Sequence, residues 1–381
     1  MQAHSTQAGA SEQLSRIEAY LAVDPDNTDL LAQAIDLGLA SGELARAQGH
    51  AAAALARYPD DIFFQYRHGH VLSAQQQWAA AAAVFAALLL RNADVNIAAS
   101  LATCQAWLGQ YQAIVDTLTP YRDAPELPAA AATALLRALH HLGRIDEASA
   151  LVDAEVARLA GDAHFLGAAS LLRLDQDRSA DAAAFSEAAL ALGARSTEAL
   201  VVSATLALFD SDTSIAVARF NQVLSANPNE GRSWSGLGMA SLLKRDLGAA
   251  AEQLEQAVRL MPTHIGSWHT LGWCRIFGGE LDKARAAFAQ ALALDRNFGE
   301  THGGLAVVAA LVGDRPTAEA AIGRALGLDP QSLSARYAEM VLAGQTADPE
   351  RFRAIAARVM ARRTMSSGET LAQAVGRHAP R

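Results

Sequence analysis

Cysteine is scarce: only Cys104 and Cys274 occur in 381 residues. They stand far apart and without metal-ligand spacing, so neither a disulfide framework nor a zinc site is expected, and both read as small buried apolar residues. Lysine is scarcer in proportion, with Lys244 and Lys283 alone, and the chain carries a net charge of -9. That balance argues against general nucleic-acid affinity, which depends on neutralising phosphates with Lys and Arg. Aromatic residues make up 6%. No apolar run reaches the roughly 18 to 20 residues that span a bilayer; stretches such as Leu200 to Leu208 are too short. The first residues, MQAHSTQAGASEQ, are polar and show no secretory pattern. The expectation is a cytoplasmic protein without membrane insertion.

Chemical motifs are also missing. No H-E-x-x-H, G-x-S-x-G or C-x-x-C occurs. The closest histidine groups are His140 with His141 and His68 with His70, whose side chains diverge on a helix and do not share one metal easily. Paired glycines such as Gly236 and Gly238, or Gly303 and Gly304, fall inside helical patterns rather than after strands, so they read as packing glycines and not as a nucleotide loop. No catalytic, metal-binding or cofactor-binding residue is expected.

What is abundant is Ala, Leu, Glu, Gln and Arg, the strong helix formers, with hydrophobic residues at 51%. Their arrangement repeats. The segment from Gly231 carries Trp234, Leu237, Gly238, Ala250, Leu254, Ala257 and Pro262; a shift of 34 gives Trp268, Leu271, Gly272, Ala284, Phe288 and Ala291; another gives Leu305, Ala306, Ala318, Ile322, Ala325 and Pro330. The register runs back through repeats beginning at Thr197, Ala163, Ala129, Val95, Ile62 and Thr28, with one residue lost near Asp94. Nine consecutive repeats result. Gly42, Gly109, Gly143, Gly279 and Gly313 fall between the two helices of a unit, where a left-handed residue ends the first. Pro25, Pro59, Pro228, Pro262 and Pro330 stop the second.

This pattern resembles the tetratricopeptide repeat, W-x2-L-G-x2-Y followed by A-x3-F, A and P. The tyrosine position departs from it, holding Ser241, Arg275 and Ala309. The resemblance implies an all-α fold, a right-handed superhelical solenoid of antiparallel helix pairs, whose function is to bind another protein. The expected organisation is a disordered N-terminus over 1–10 and a capping half repeat over 11–27. An N-terminal arm of three repeats follows over 28–128, and a C-terminal arm of six over 129–332. A partial repeat with a basic capping helix occupies 333–363, and a disordered tail 364–381. Pro120, Pro125 and Pro128 predict an irregular joint at 119–128, either a hinge or a long loop.

In this family the first helix of each unit lines a concave groove, with outward residues at positions two, five, nine and twelve. That register nominates an aromatic cluster of Phe63, Tyr66 and His70; a polar and basic one of Asn96, Thr103, Arg137 and His140; and a third of Arg232, Met239, Leu242, His269, Trp273 and Ile276. Aromatics and Arg are frequent binding hot spots, and apolar patches in a groove mark interaction sites. The clamp of Lys and Asn by which some members hold a chaperone's C-terminal carboxylate has no Lys here. After Pro349, Arg351, Arg353, Arg358, Arg362 and Arg363 accompany Phe352, Ile355 and Val359 at helical spacing. This segment reads as a solvated cap, or as a docking helix for an acidic partner or membrane surface. The functional expectation is a non-enzymatic adaptor, scaffold or chaperone-like module holding a peptide or protein segment. The alternatives are a self-assembling scaffold, a homo-oligomer joined through its end repeats, or a sensor of a small molecule or signalling peptide.

Overall fold

The computed structural model describes residues 2–193, 196–210 and 212–347. Among them are twenty α-helices, two short 3-10 turns and no strand. The proposed basic cap at 349–363 and the tail at 364–381 lie outside the described residues.

Most repeats begin with a capped helix; the first helices Ala129–His141 and Gly299–Leu311, preceded by Pro128 and Phe298, have no side-chain cap. Asn27, Asp61, Asp94, Ser196, Glu230, His264 and Ser332 precede first helices and accept hydrogen bonds from backbone N–H groups of the opening turn. The first helices end on a residue of positive φ at the same point of the register. Glycine fills it at Gly42, Gly109, Gly143, Gly279 and Gly313, but Gln76, Asp177 and Arg245 adopt it too, at φ 61°, 59° and 61°. Proline then follows second helices that end at Arg57, Ala226, Leu260 and Leu328.

The chain divides into two compact units, residues 1–172 and 173–381. In the first, α1 (Gln2–Leu21) packs on α2 (Thr28–Ser41), and pairs α2/α3 (Leu44–Arg57), α4 (Ile62–Ala74)/α5 (Trp78–Arg91), α6 (Val95–Trp107)/α7 (Tyr111–Leu118) and α8 (Ala129–His141)/α9 (Ile145–Glu155) follow. Helix α1 starts at Gln2, inside the stretch expected to be disordered; that stretch is rich in Ala and Gln and free of Pro, so nothing in it breaks a helix. Helix α7 has only eight residues and gives way to a 3-10 turn at Thr119–Tyr121, as Pro120 requires. The division between units does not fall at this joint. It falls inside α10 (Ala163–Asp175), one repeat further on than the boundary expected at 128/129.

The second unit continues with α11 (Ser179–Ala191), the pairs α12 (Thr197–Phe209)/α13 (Thr213–Ala226), α14 (Gly231–Leu243)/α15 (Leu247–Leu260), α16 (Ile265–Phe277)/α17 (Leu281–Leu294) and α18 (Gly299–Leu311)/α19 (Arg315–Leu328), and α20 (Leu333–Leu342). Its core explains the small residues of the repeat. The ring of Phe288 on α17 lies between Gly272 and Gly304: a Cβ on either would come within 2.6 Å or 2.5 Å of it. Phe220 meets Gly236 in the same way at 2.2 Å, and Leu254 meets Gly238 at 2.5 Å. Glycine is needed there for close approach, and Ala216, Ala250, Ala284 and Ala318 are fully buried on the facing helices. Among the described residues no helix is long and apolar enough to cross a membrane.

Candidate functional site

In the first unit the aromatic cluster is largely closed on itself. The rings of Tyr66 and His70 meet edge to face at 4.5 Å, and both abut the buried Phe85, at 5.7 Å and 5.2 Å. The Tyr66 hydroxyl and Ser100 Oγ share a hydrogen bond of 3.2 Å. Burial pushes the pKa of His70 down, so its imidazole is held neutral. Phe63 is 73% exposed and stands free of this cluster. Asn96 and Thr103 are exposed on α6, Thr103 Oγ1 donating to the carbonyl of Ala99 at 2.9 Å; Arg137 is exposed and His140 half-buried on neighbouring α8.

Two cavities of the second unit are lined mainly by first helices. One, of 530 Å³, is walled by Val201, Thr205 and Phe209 of α12, Met239 and Leu243 of α14, and the end of α10. Arg232 crosses its edge to make a two-pronged ion pair with Asp175, Nη1 to Oδ1 at 2.9 Å and Nη2 to Oδ2 at 2.7 Å. The other, of 690 Å³, is aromatic: His269, Trp273 and Phe277 from α16, Phe298 and Glu300 at the start of α18, and Leu333, Ser334 and Tyr337 from α20. Trp273 stands 5.8 Å from Phe277 and 6.0 Å from Tyr337, centroid to centroid.

Its floor is fixed by hydrogen bonds. The Glu300 carboxylate accepts from the backbone N–H groups of Leu333 and Ser334, at 2.8 Å and 3.2 Å, and from the Ser334 hydroxyl, so it caps α20. His269 Nε2 lies 3.1 Å from the Glu300 carbonyl oxygen, and burial lowers the pKa of this histidine. A neutral ring with Nε2–H donating to that carbonyl satisfies both observations.

Arg232, Met239, His269 and Trp273, four of the residues nominated for the groove, border these cavities. Leu242 and Ile276 do not. Leu242 is half-buried against Ala250, Leu254 and Leu271, and Ile276 is 9% exposed within a core of Ala284, Phe288 and Ala306. The outer stripe runs through position thirteen rather than twelve. Each helical residue turns about 100°, so the four-residue step from position nine stays about 40° from its line, whereas three residues swing about 60° the other way, toward the second helix. Position thirteen holds Phe209, Leu243, Phe277 and Leu311, which are 62%, 54%, 60% and 40% exposed. Their spacing of 34 was present in the sequence as a recurrence of large apolar residues, and it is the signal that the position-twelve register passed over.

The walls of both cavities are mainly apolar. Among the described residues no group of three or more His, Cys, Asp or Glu could hold a metal ion. Burial raises the pKa of both Cys104 and Cys274, which keeps them as thiols rather than nucleophilic thiolates.

A family model of the tetratricopeptide repeat matches residues 265–298, which comprise α16, α17 and the turn before α18. The units before and after it carry the same helix pair in the same register. No curated protein matches the sequence. Among solved structures, the chain is similar to a thermophilic tetratricopeptide-repeat protein of Thermus thermophilus, with 25% identity, TM-score 0.40, and coverage of 46% of this chain and 95% of the other. It is also similar to YrrB, a tetratricopeptide-repeat protein described as having an unusual peptide-binding site, at 21% identity and TM-score 0.37 over 48% and 95% of the two chains. A third is pilF of Pseudomonas aeruginosa, at 18% identity and TM-score 0.43 over 54% and 94%.

Proposed function

We propose that this array of tetratricopeptide repeats is a non-enzymatic binding module, and that its second unit holds an apolar segment of another protein against the first helices α12, α14, α16 and α18. The observation that carries the reading is the ladder of Phe209, Leu243, Phe277 and Leu311. Four consecutive repeats present a large apolar side chain to solvent at one position, and three of them, Phe209, Leu243 and Phe277, line two cavities. Scattered exposed apolar residues are ordinary on a surface, but a contiguous row in a recess marks an interaction site. The rigid aromatics Trp273, Phe277 and Tyr337 suit an anchor, because such rings bury much area at little cost in rotamer entropy.

Selection of peptides from a random displayed library on the full chain tests this. The expected winners are apolar-rich, and a Phe209→Glu/Phe277→Glu chain of unchanged circular dichroism should bind them at least about tenfold more weakly, because an unpaired carboxylate would have to be desolvated in each contact. Equal binding by both chains would remove the ladder from the site.

A further inference from the structure

The hydrogen-bonding groups of the 530 Å³ cavity are unequally satisfied. Its ionisable residues are Asp175 and Asp177 at the end of α10, Arg232 in the first turn of α14, and His264 just before α16. The carboxylates are engaged: Asp175 receives both prongs of the Arg232 guanidinium, and neither it nor Asp177 is without a partner in the chain. The donors have capacity to spare. A guanidinium carries five N–H bonds in one plane, and a fork through Nη1 and Nη2 uses two of them. Among the described residues no acceptor meets the others, so the edge that includes Nε–H is open to a second carboxylate.

His264 adds another donor. Its Nδ1 accepts from the backbone N–H of Ser267 at 3.2 Å and caps α16, which places the ring proton on Nε2. That N–H also meets no acceptor among the described residues. Burial, with the Arg232 charge nearby, holds the pKa of the ring below its ordinary value, so at neutral pH it is an uncharged donor.

Asp175 fixes the guanidinium in place. The pair joins the end of α10 to the start of α14, across the repeat that supplies α12, and holds the open edge at the border of an apolar wall of Val201, Phe209, Met239 and Leu243. A cavity with apolar walls and a few fixed polar groups orients its ligand through those groups. Unfilled donors select an acceptor, and an ionised acceptor binds them most strongly. A basic ligand would find the reverse: unfilled N–H groups beside its charge, and carboxylates already engaged.

We propose that this cavity is a carboxylate subsite of the groove. The open edge of Arg232, with His264 Nε2–H beside it, takes an acidic group of the bound segment, and the large apolar residue next to that group lies against Phe209, Met239 and Leu243. This rests on the groove reading above and adds that the segment is acidic as well as apolar at this point. An Asp or Glu side chain and a C-terminal carboxylate offer the same chemistry.

The test uses the full chain and random peptides displayed with a free C-terminus, selected in parallel on wild type, Arg232→Gln and Asp175→Asn. Peptides won on wild type should carry a carboxylate next to a large apolar residue. Amidating the C-terminus in one arm, and exchanging Asp for Asn or Glu for Gln in the other, identifies which carboxylate binds. Its loss should weaken binding about tenfold or more on wild type and less than about twofold on Arg232→Gln. Asp175→Asn separates recognition from scaffolding. It releases the guanidinium from its own carboxylate, so the peptides should bind at least as tightly as to wild type, whereas an ion pair that only clasps the groove would lose as much on either substitution. Equal weakening by Arg232→Gln and Asp175→Asn, no weakening in either peptide arm, or enrichment of Lys and Arg in place of acidic residues overturns the proposal. If peptides without acidic enrichment still distinguish wild type from Phe209→Glu/Phe277→Glu, this inference fails and the groove reading stands. If the selected peptides bind those two chains equally, it is the groove reading that fails.

Discussion

The wall behind the aromatic cavity depends on one ring. Phe288 is fully buried, its centroid 6.4 Å from Trp273 and 5.3 Å from His269, and it fits only because Gly272 and Gly304 flank it. Gly272→Ala would set a Cβ 2.6 Å from the ring edge. Overpacking of this kind costs about 1 to 3 kcal/mol, and replacing a helical Gly by Ala returns about 1 kcal/mol. The net expectation is a loss of up to about 2 kcal/mol. Phe288→Leu alone should cost about 1 to 1.5 kcal/mol, or more if a void is left. In the double variant the clash partner is smaller, so Gly272→Ala should become neutral or stabilising. The cycle therefore predicts a favourable coupling of about 1 to 3 kcal/mol. Repeat arrays need not unfold in one step, so amide hydrogen exchange of α16 and α17 is the measurement to use, with denaturation followed by circular dichroism beside it. Additivity within about 0.5 kcal/mol would refute the claim that these glycines exist to admit the ring.

Further outcomes follow from other features. Gly279, at φ 73° with open space around it, should lose about 1 to 2 kcal/mol on Gly279→Ala from backbone strain alone, whereas Arg245→Gly at the equivalent turn should be neutral to mildly stabilising; thermal denaturation of the two variants compares them. His269 has its folded-state pKa below the ordinary 6.5, so the unfolded chain takes up the proton first; stability is retained above that pH and declines as pH falls through it toward the lower folded value. The difference in Tm between pH 7.5 and 5.5 should shrink in His269→Gln, and an unchanged difference would exclude this group. Glu18, held at a pKa of about 2 chiefly by its hydrogen bond from Arg46, ties α1 to α3; its contribution is complete above about pH 4.5 and is lost as pH falls toward 2. Glu18→Gln should speed hydrogen exchange in α1 at neutral pH and leave α16 unchanged.

The fold was legible because the repeat is long and strict. The small residues at Gly238, Gly272 and Ala284, the glycine turns and the terminating prolines each mark the same place in successive units, and Pro120 announced the shortened α7. The left-handed turns at Gln76 and Arg245 were not legible, since nothing in those side chains asks for positive φ and the surrounding helices impose it; Asp177, whose short polar side chain tolerates that conformation, was the one that could have been read. The division inside α10 was equally hidden, being a property of packing and not of any residue in the chain. For the candidate site, positions two, five and nine hold Arg232, His269, Met239 and Trp273, which border the cavities, whereas Leu242 and Ile276 at position twelve pack inward and Leu243 and Phe277, one residue on, line the cavities. A periodicity read to the nearest residue cannot separate two adjacent positions about 100° apart; burial does.

The central claim is that binding occurs on the first helices of the second unit. Hydrogen–deuterium exchange of the full chain, with and without a selected apolar peptide, addresses it directly. Slowed exchange is expected in α12, α14, α16 and α18, strongest near Trp273 and Phe277, with α13, α15, α17 and α19 unchanged. Protection confined to those second helices, or to the first unit, would contradict it.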